Sequence, residues 1–242
     1  GQLSSIIQTT FMQAPQSSFG RLFHADRGKF KNAYEFYEFV LSLILFIVCS
    51  VALVMILPFV KLYTSGVGDV NYIDQSLPIL FTLILLMNQI RIPALITINV
   101  AGHFKETQGG AIVEAIINIT VSLILFFFTN LGLYGLLIGT VCSYLFRTTD
   151  VIIYTHKHLV DSSIWTSAKN YAINLTAMVL IYCFFDIMMP VHAESVLVWI
   201  IQAIGVSIVV AVVFTSFNFI FNREKVTGTY YLVRQKIRVK KL

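Results

Sequence analysis

The stretch "FVLSLILFIVCSVALVMILPFV", residues 39–60, carries no charged side chain. The hydrocarbon layer of a membrane is roughly 30 Å thick, and an α-helix needs about 20 residues to cross it. This stretch is therefore long enough to cross a membrane once. A second uncharged run, "SVLVWIIQAIGVSIVVAVVFTSFNFIF", covers residues 195–221. Because lipid offers no hydrogen bonds to an open backbone, we expect both runs to be helices.

The composition extends this expectation to the whole chain. Of its 242 residues, 57% are hydrophobic and only 12% are charged, and the mean hydropathy is +0.80. A soluble domain carries about twice that share of charged residues, so a soluble fold does not fit. We predict an all-α, polytopic membrane bundle with seven transmembrane helices, over residues 2–21, 35–63, 74–101, 109–129, 131–155, 167–188 and 195–221.

The positive charges fall on one side of this predicted bundle. Of the 17 lysines and arginines, all but Lys61 and Arg91 lie nearest to helix ends or connections on a single side. The positive-inside rule makes that side cytoplasmic, so we expect a cytoplasmic C-terminus and, with seven helices, an external N-terminus. We divide the chain into residues 1–158, residues 159–222 with the last two predicted helices, and a basic cytoplasmic tail, 223–242, that suits anionic lipid headgroups.

The first predicted helix is the most polar of the seven. Ser5, Thr9, Gln13 and Gln16 recur at three- and four-residue spacing and would form one polar face. We expect this face to turn toward a bundle interior or a water-filled cavity; a surface helix is the alternative. The chain begins with Gly1, inside this helical pattern, so we expect it to be the C-terminal part of a longer protein.

The stretch "LMNQIRIPALITINVAGHFKE", residues 86–106, puts a fixed positive charge inside an apolar segment. Arg91 lies roughly 15 Å from the inner end of its helix, too deep for the side chain to reach water easily. Asn88 and Asn99 extend a polar stripe beside it, and Pro93 removes a backbone donor, which favours a kink. We expect Arg91 to point inward, toward either an anion in a central cavity or an internal salt bridge.

Two further patterns concern the next two helices. Glu114, Asn118 and Ser122 recur every four residues, and we expect Glu114 to pair with Arg147 or Lys105, or to line an inner vestibule. In the following helix, Gly135 and Gly139 have the small-residue spacing that lets helix backbones approach closely. Glu35 and Glu38 begin the second predicted helix, where carboxylates suit the helix dipole.

The sequence predicts no enzyme and no cofactor. The three cysteines lie in separate apolar stretches without metal-ligand spacing, and we interpret them as small hydrophobic residues. The five histidines lie in or next to loops and have no paired carboxylate or serine nearby that could serve catalysis. The basic charge is explained by membrane orientation, so we expect no nucleic-acid partner.

One part of the chain resembles a known family. Residues 91–140, "RIPALITINVAGHFKETQGGAIVEAIINITVSLILFFFTNLGLYGLLIGT", are similar in order and type to the C-terminal lobe of polysaccharide flippases of the multidrug/oligosaccharidyl-lipid/polysaccharide exporter superfamily. The resemblance extends more loosely over all seven predicted helices, and it implies that residues 1–158 form a transporter lobe and that residues 159–222 add two C-terminal helices to it. It implies the C-terminal lobe of a two-lobed transporter, with the partner N-terminal lobe elsewhere in the same protein, and a location in the bacterial cytoplasmic membrane.

The resemblance also implies a function. Such flippases move undecaprenyl-pyrophosphate-linked oligosaccharide units to the outer leaflet by alternating access. Arg91 would then meet the pyrophosphate, and the side chains of Asn88, Asn99, Gln13 and Gln16 would offer hydrogen bonds to sugar. A drug or metabolite exporter of the same superfamily is an alternative, as is a membrane-embedded polysaccharide polymerase or acyltransferase.

Overall fold

The computed structural model describes residues 14–65, 74–191, 193–223 and 225–227. Within these ranges the chain forms helices and no strand, which confirms the predicted all-α fold. A π-helical turn, His156–Val160, continues the sixth helix. The α-helices are α1 (Ala14–Ala25), α2 (Arg27–Tyr63), α3 (Ser76–Ile90), α4 (Ile92–Ala101), α5 (Phe104–Phe128), α6 (Leu133–Thr155), α7 (Ile164–Ile187) and α8 (Val196–Phe221).

Six segments of the described chain are long and apolar enough to cross a membrane. They correspond to the second to seventh predicted helices, and α3 and α4 together form one of them. The chain therefore has the character of a multi-pass membrane protein. The segments are Arg27–Tyr63, Ser76–Ala101, Phe104–Phe128, Leu133–Val160, Ile164–Ile187 and Val196–Phe221.

Helix α2 begins at Arg27, earlier than the predicted residue 35. The carboxylate of Asp26 accepts a hydrogen bond from the backbone N–H of Lys29 at 3.0 Å, the contact of an N-terminal helix cap. This hydrogen bond, together with the Lys29 ammonium at 3.2 Å, holds the pKa of Asp26 below its ordinary value. Phe30 and Tyr34 in the added turns are fully buried, so packing also favours the longer helix.

The first predicted helix is described only in part. Helix α1 has 12 residues, a length of about 18 Å, and its buried side chains Phe19 and Phe23 pack edge-on against the ring of Phe30. Gln16 is exposed near the start of α1. The other members of the predicted polar face, Ser5, Thr9 and Gln13, lie outside the described residues.

The chain divides into two compact units. The first unit comprises Gly1–Glu35 and Tyr63–Ile164, and the second comprises Phe36–Leu62 and Trp165–Leu242. Helix α2 thus contributes residues to both. Our division at residues 158 and 159 follows chain order and separates the last two helices, whereas the compact units group these helices with residues 36–62. Whether the last two helices are an addition to a transporter lobe stays a prediction.

In the first unit, α5 and α6 form an antiparallel pair whose backbones approach closely at two glycines. A β-carbon at Gly139 would overlap Ser122 of α5, including its backbone nitrogen, and one at Gly135 would overlap Leu125. The close packing predicted from the glycine spacing is confirmed.

We expect Gly139→Ala to lower the free energy of unfolding by about 1–3 kcal/mol, because the Ser122 backbone has to move to admit the methyl group. Gly109→Ala, in the same unit, is the control, since no atom lies within 4 Å of the β-carbon it would add. The Gly109→Ala substitution should leave the free energy of unfolding unchanged or raise it by up to about 1 kcal/mol. Unfolding in SDS, followed by circular dichroism, measures both. Equal effects would contradict the packing role of Gly139.

Candidate functional site

The helix that carries Arg91 is broken at that residue. Helix α3 ends at Ile90 and α4 begins at Ile92, while Arg91 has φ −80° and ψ −5°. Pro93 lies in the first turn of α4 and has no N–H to donate to the preceding turn. The predicted interruption at this proline is confirmed. The break places a charged side chain at membrane depth, and broken helices at this depth are also found where transporters bind ions and substrates.

Arg91 makes three contacts with polar or aromatic side chains. Its Nη1 donates to the Glu114 carboxylate at 3.0 Å, and its Nη2 donates to the Asn88 amide oxygen at 2.8 Å. Its guanidinium carbon lies 4.9 Å from the centre of the Tyr144 ring, within the range of a cation–π contact. Its Nε is buried and has no hydrogen-bond partner among the described residues. Arg91 is therefore held by both of its terminal nitrogens, while Nε makes no hydrogen bond within the described chain.

A second arginine lies beside the first. Arg147 of α6 has its Nε 3.8 Å from the Glu114 carboxylate, and its Nη1 donates to the Asp150 carboxylate at 2.7 Å and to the backbone carbonyl of Thr107 at 3.0 Å. Gly110 of α5 makes room for this pair, because a β-carbon there would overlap both the Arg147 and the Asp150 side chains. We call Arg91, Glu114, Arg147 and Asp150 the ionic cluster.

The ionic cluster is electrically balanced and lies deep in the membrane segments. It contains two arginines and two carboxylates, so its formal charge is zero. Glu114 follows the start of α5 by ten residues, which places it about 15 Å along the helix. The exposed fractions of the side chains are 12% for Arg91, 9% for Arg147, 20% for Glu114 and 37% for Asp150. The two carboxylates are therefore more exposed than the two arginines, at a depth where charged groups avoid hydrocarbon.

The structure brings some of the predicted site residues together and leaves others apart. Asn88, Arg91, Glu114 and Arg147 form one connected group. Farther along α5, Asn118 donates to the hydroxyls of Thr140 and Ser143 on α6, so this part of the predicted stripe faces α6. The remaining candidates do not join the group: Asn99 is half-buried on α4, Lys105 is exposed at the start of α5, Gln16 is exposed on α1, and Gln13 lies outside the described residues.

The second unit contains a buried polar network that we did not expect from the sequence. It consists of Asn170 and Asn174 on α7 and Asn218 and Asn222 on α8, and we call it the amide network. Asn218 donates to the Asn174 amide oxygen at 2.8 Å, and Asn222 donates to that of Asn170 at 3.3 Å. The signal available in the sequence is the four-residue spacing of asparagine on two apolar helices.

The amide network continues to a buried carboxylate on α2. Glu38 is only 2% exposed, and it accepts hydrogen bonds from the hydroxyls of Ser167 at 2.6 Å and Tyr171 at 2.7 Å. Asn170 donates to Ser42, one turn from Glu38, at 2.7 Å. Our explanation of Glu38 by the helix dipole is wrong, because α2 begins 11 residues before it, at Arg27. Its carboxylate instead joins α2 to α7.

We expect Asn218→Ala to destabilise the protein by about 1–2 kcal/mol, because it leaves the Asn174 oxygen without its donor and removes one of the two acceptors of the Asn222 amide, in a water-poor region. Thr215→Ala is the matched control. Thr215 is exposed on the same helix, and its hydroxyl bonds only the local Ala211 carbonyl. The midpoint of SDS unfolding compares the two. An Asn218→Ala midpoint equal to that of Thr215→Ala would show that the amide network adds no stability.

Comparison with known proteins identifies no relative: no family model, no curated protein and no solved structure matches the chain. Among the described residues, no group of three or more His, Cys, Asp or Glu side chains is placed to hold a metal ion. Any functional conclusion therefore depends on the ionic cluster itself.

Proposed function

We propose that the chain is the C-terminal lobe of a flippase that moves polyprenyl-pyrophosphate-linked oligosaccharides across the bacterial cytoplasmic membrane for polysaccharide biosynthesis. The observation that carries the proposal is an arginine, Arg91, at a helix break within a membrane-spanning segment, with its side chain 12% exposed. A charged group at this depth requires water or protein beside it, so a cavity next to Arg91 is the expected surrounding.

The chemistry of Arg91 favours an anionic substrate. A guanidinium keeps its charge at any physiological pH and presents a planar set of donors that matches phosphate oxygens. Arg91 has one buried donor without a partner in the described chain, and Asn88 and Tyr144 hold its side chain in place. These features suit the pyrophosphate group of a lipid-linked sugar. The apolar helices around the cluster suit the lipid tail, which stays in the bilayer.

The rival functions make different demands on the same site. A drug or metabolite exporter with cationic substrates needs an uncompensated carboxylate, whereas both carboxylates of the ionic cluster are paired with arginine. A polymerase or acyltransferase needs a general base or a nucleophile beside its substrate. The ionic cluster contains neither a histidine nor a cysteine, and both of its carboxylates are paired with arginine, which disfavours their use as a general base.

The proposal is tested by removing the gene from its host and measuring polysaccharide on the cell surface. We expect the polysaccharide to disappear and undecaprenyl-pyrophosphate-linked repeat units to accumulate on the cytoplasmic leaflet, with both changes reversed by the complete wild-type protein. Accumulation of single repeat units in the outer leaflet would instead indicate a polymerase. Unchanged surface polysaccharide would overturn the proposal.

The orientation in the membrane is part of the proposal and has its own test. We expect a reporter fused after Leu242 to be cytoplasmic and one inserted at Gly68 to be external, because the basic connections lie on one predicted side. An alkaline phosphatase fusion is active outside the membrane, and a green fluorescent protein fusion folds inside. Activity of both reporters on the same side would contradict this orientation.

A further inference from the structure

We propose that Glu114 is a resident counter-anion, a carboxylate that occupies Arg91 in the empty protein and that the pyrophosphate of the substrate displaces. This inference rests on the proposed function, because it assumes that an anion reaches Arg91. It adds a role for Glu114 that the flippase proposal does not contain: competition with the substrate for one guanidinium.

The position of Glu114 allows the displacement. Its two oxygens face two different arginines: Oε1 is 3.0 Å from Nη1 of Arg91, and Oε2 is 3.8 Å from Nε of Arg147. The shorter contact is a full hydrogen bond, and the longer one is a pairing that a small side-chain rotation can shorten. When Glu114 leaves Arg91, it therefore moves toward a cation that is already beside it. The displaced carboxylate is never left without a positive neighbour.

Arg147 is fixed independently of Glu114. Asp150 binds it at 2.7 Å and the Thr107 carbonyl accepts a second hydrogen bond at 3.0 Å, while its side chain is only 9% exposed. Gly110 packs directly against the Arg147–Asp150 pair, so there is little space for the pair to move. Arg147 therefore stays in place to receive Glu114 when the contact with Arg91 breaks.

Arg91 also stays in place without Glu114. Asn88 holds Nη2 at 2.8 Å, and the Tyr144 ring lies 4.9 Å from the guanidinium carbon. Release of Glu114 frees Nη1, and Nε has no partner among the described residues. Nη1 thus becomes available to a phosphate oxygen while the side chain keeps its orientation, as a preorganised anion site requires.

Competition of this kind sets how tightly the substrate is held. A carboxylate at 3.0 Å lowers the affinity of Arg91 for any other anion, and its return to Arg91 favours release of the substrate. A transporter needs a site that binds its substrate tightly enough to take it up and weakly enough to release it. Glu114 therefore promotes release of the substrate, and removing its charge should strengthen binding of the substrate anion to Arg91.

Titration of the purified complete protein with inorganic pyrophosphate, followed by isothermal titration calorimetry, tests this inference. We expect Glu114→Gln to bind about tenfold more tightly than wild type, which corresponds to about 1.4 kcal/mol, and Arg91→Gln to lose binding. Glu106→Gln is the matched control, since Glu106 is an exposed carboxylate on the same helix. Its affinity should equal that of wild type.

The outcomes separate the two proposals. If wild type binds pyrophosphate, Arg91→Gln does not, and Glu114→Gln binds equally or more weakly, then Glu114 is not a competing anion and only this inference is wrong. If wild type does not bind, or if Arg91→Gln binds as well as wild type, the anion site itself is wrong. Should Glu114→Gln fail to fold, Glu114→Asp decides the question. Its shorter side chain weakens the contact with Arg91 and should tighten pyrophosphate binding about two- to fivefold, and an unchanged or weaker affinity overturns the inference.

Discussion

Arg91→Gln should reduce export of lipid-linked oligosaccharide by about tenfold to a hundredfold. A hydrogen bond to a charged group contributes about 1.5–3 kcal/mol, and each 1.4 kcal/mol is about a factor of ten. Glutamine retains a side chain that can bond Asn88 but loses the charge that attracts a phosphate. Surface polysaccharide per cell, normalised to the amount of protein in the membrane, measures the effect.

Two further variants give the Arg91 experiment its controls. Arg91→Lys keeps the charge but not the planar set of donors, so we expect a smaller loss of export than with glutamine. Lys61→Gln removes a cation that is exposed near the end of α2 and should leave export unchanged. Full export by Arg91→Gln at normal protein levels would show that Arg91 does not contact the substrate.

Arg147→Ala should have the largest effect on stability, a loss of roughly 3–5 kcal/mol. The substitution leaves Asp150 without its 2.7 Å partner, removes the hydrogen bond of Arg147 to the Thr107 carbonyl, and adds an uncompensated negative charge to the ionic cluster. Lys157→Ala is the control, because Lys157 is exposed in the π-helical turn after the same helix. The midpoint of SDS unfolding measures both variants.

A milder variant separates the packing around Arg147 from its charge. Gly110→Ala keeps every charge but drives a methyl group into the Arg147–Asp150 pair, so we expect a smaller loss of stability, about 1–2 kcal/mol. Gly109→Ala, at the next position, meets no atom within 4 Å and should not destabilise the protein. If Arg147→Ala and Lys157→Ala unfold at the same SDS concentration, the ionic cluster does not stabilise the first unit.

The spans were predictable because hydrocarbon imposes length and apolarity directly on the sequence. Residues 39–60 lie within α2, and residues 196–221 form α8 with Ser195 as its N-cap. The start of α2 was harder to predict from the sequence, because the burial of Phe30 and Tyr34 depends on contacts with other parts of the chain. The first turns of α2 are polar, so a hydropathy profile assigns them to a loop, although Phe30 and Tyr34 in these turns are buried.

The candidate site was predictable in its centre and not in its surroundings. The depth of Arg91 requires an inward direction, Asn88 follows from its three-residue spacing, and Pro93 marks the break. Sequence spacing alone could not decide whether Glu114 contacts Arg147 or Lys105. In the structure it contacts both Arg91 and Arg147, and Lys105 is exposed.

Asp150 and the asparagines of the amide network were the hardest contacts to predict from the sequence. Asp150 lies three residues after Arg147 and looks like an ordinary helix-end carboxylate until Arg147 is known to be buried. The amide network joins asparagines on two helices 44 residues apart, and each of them alone resembles an isolated polar residue in an apolar run.

The most direct measurement is export by the neutral pair, Arg91→Gln together with Glu114→Gln. This double variant removes one positive and one negative charge, keeps two side chains that can hydrogen-bond each other, and leaves the Arg147–Asp150 pair intact. If Arg91 binds the substrate anion, the double variant should fold and reach the membrane at normal levels but fail to export. Wild-type export by the same variant would mean that Arg91 and Glu114 only hold two helices together, and would contradict the anion-binding role of the ionic cluster.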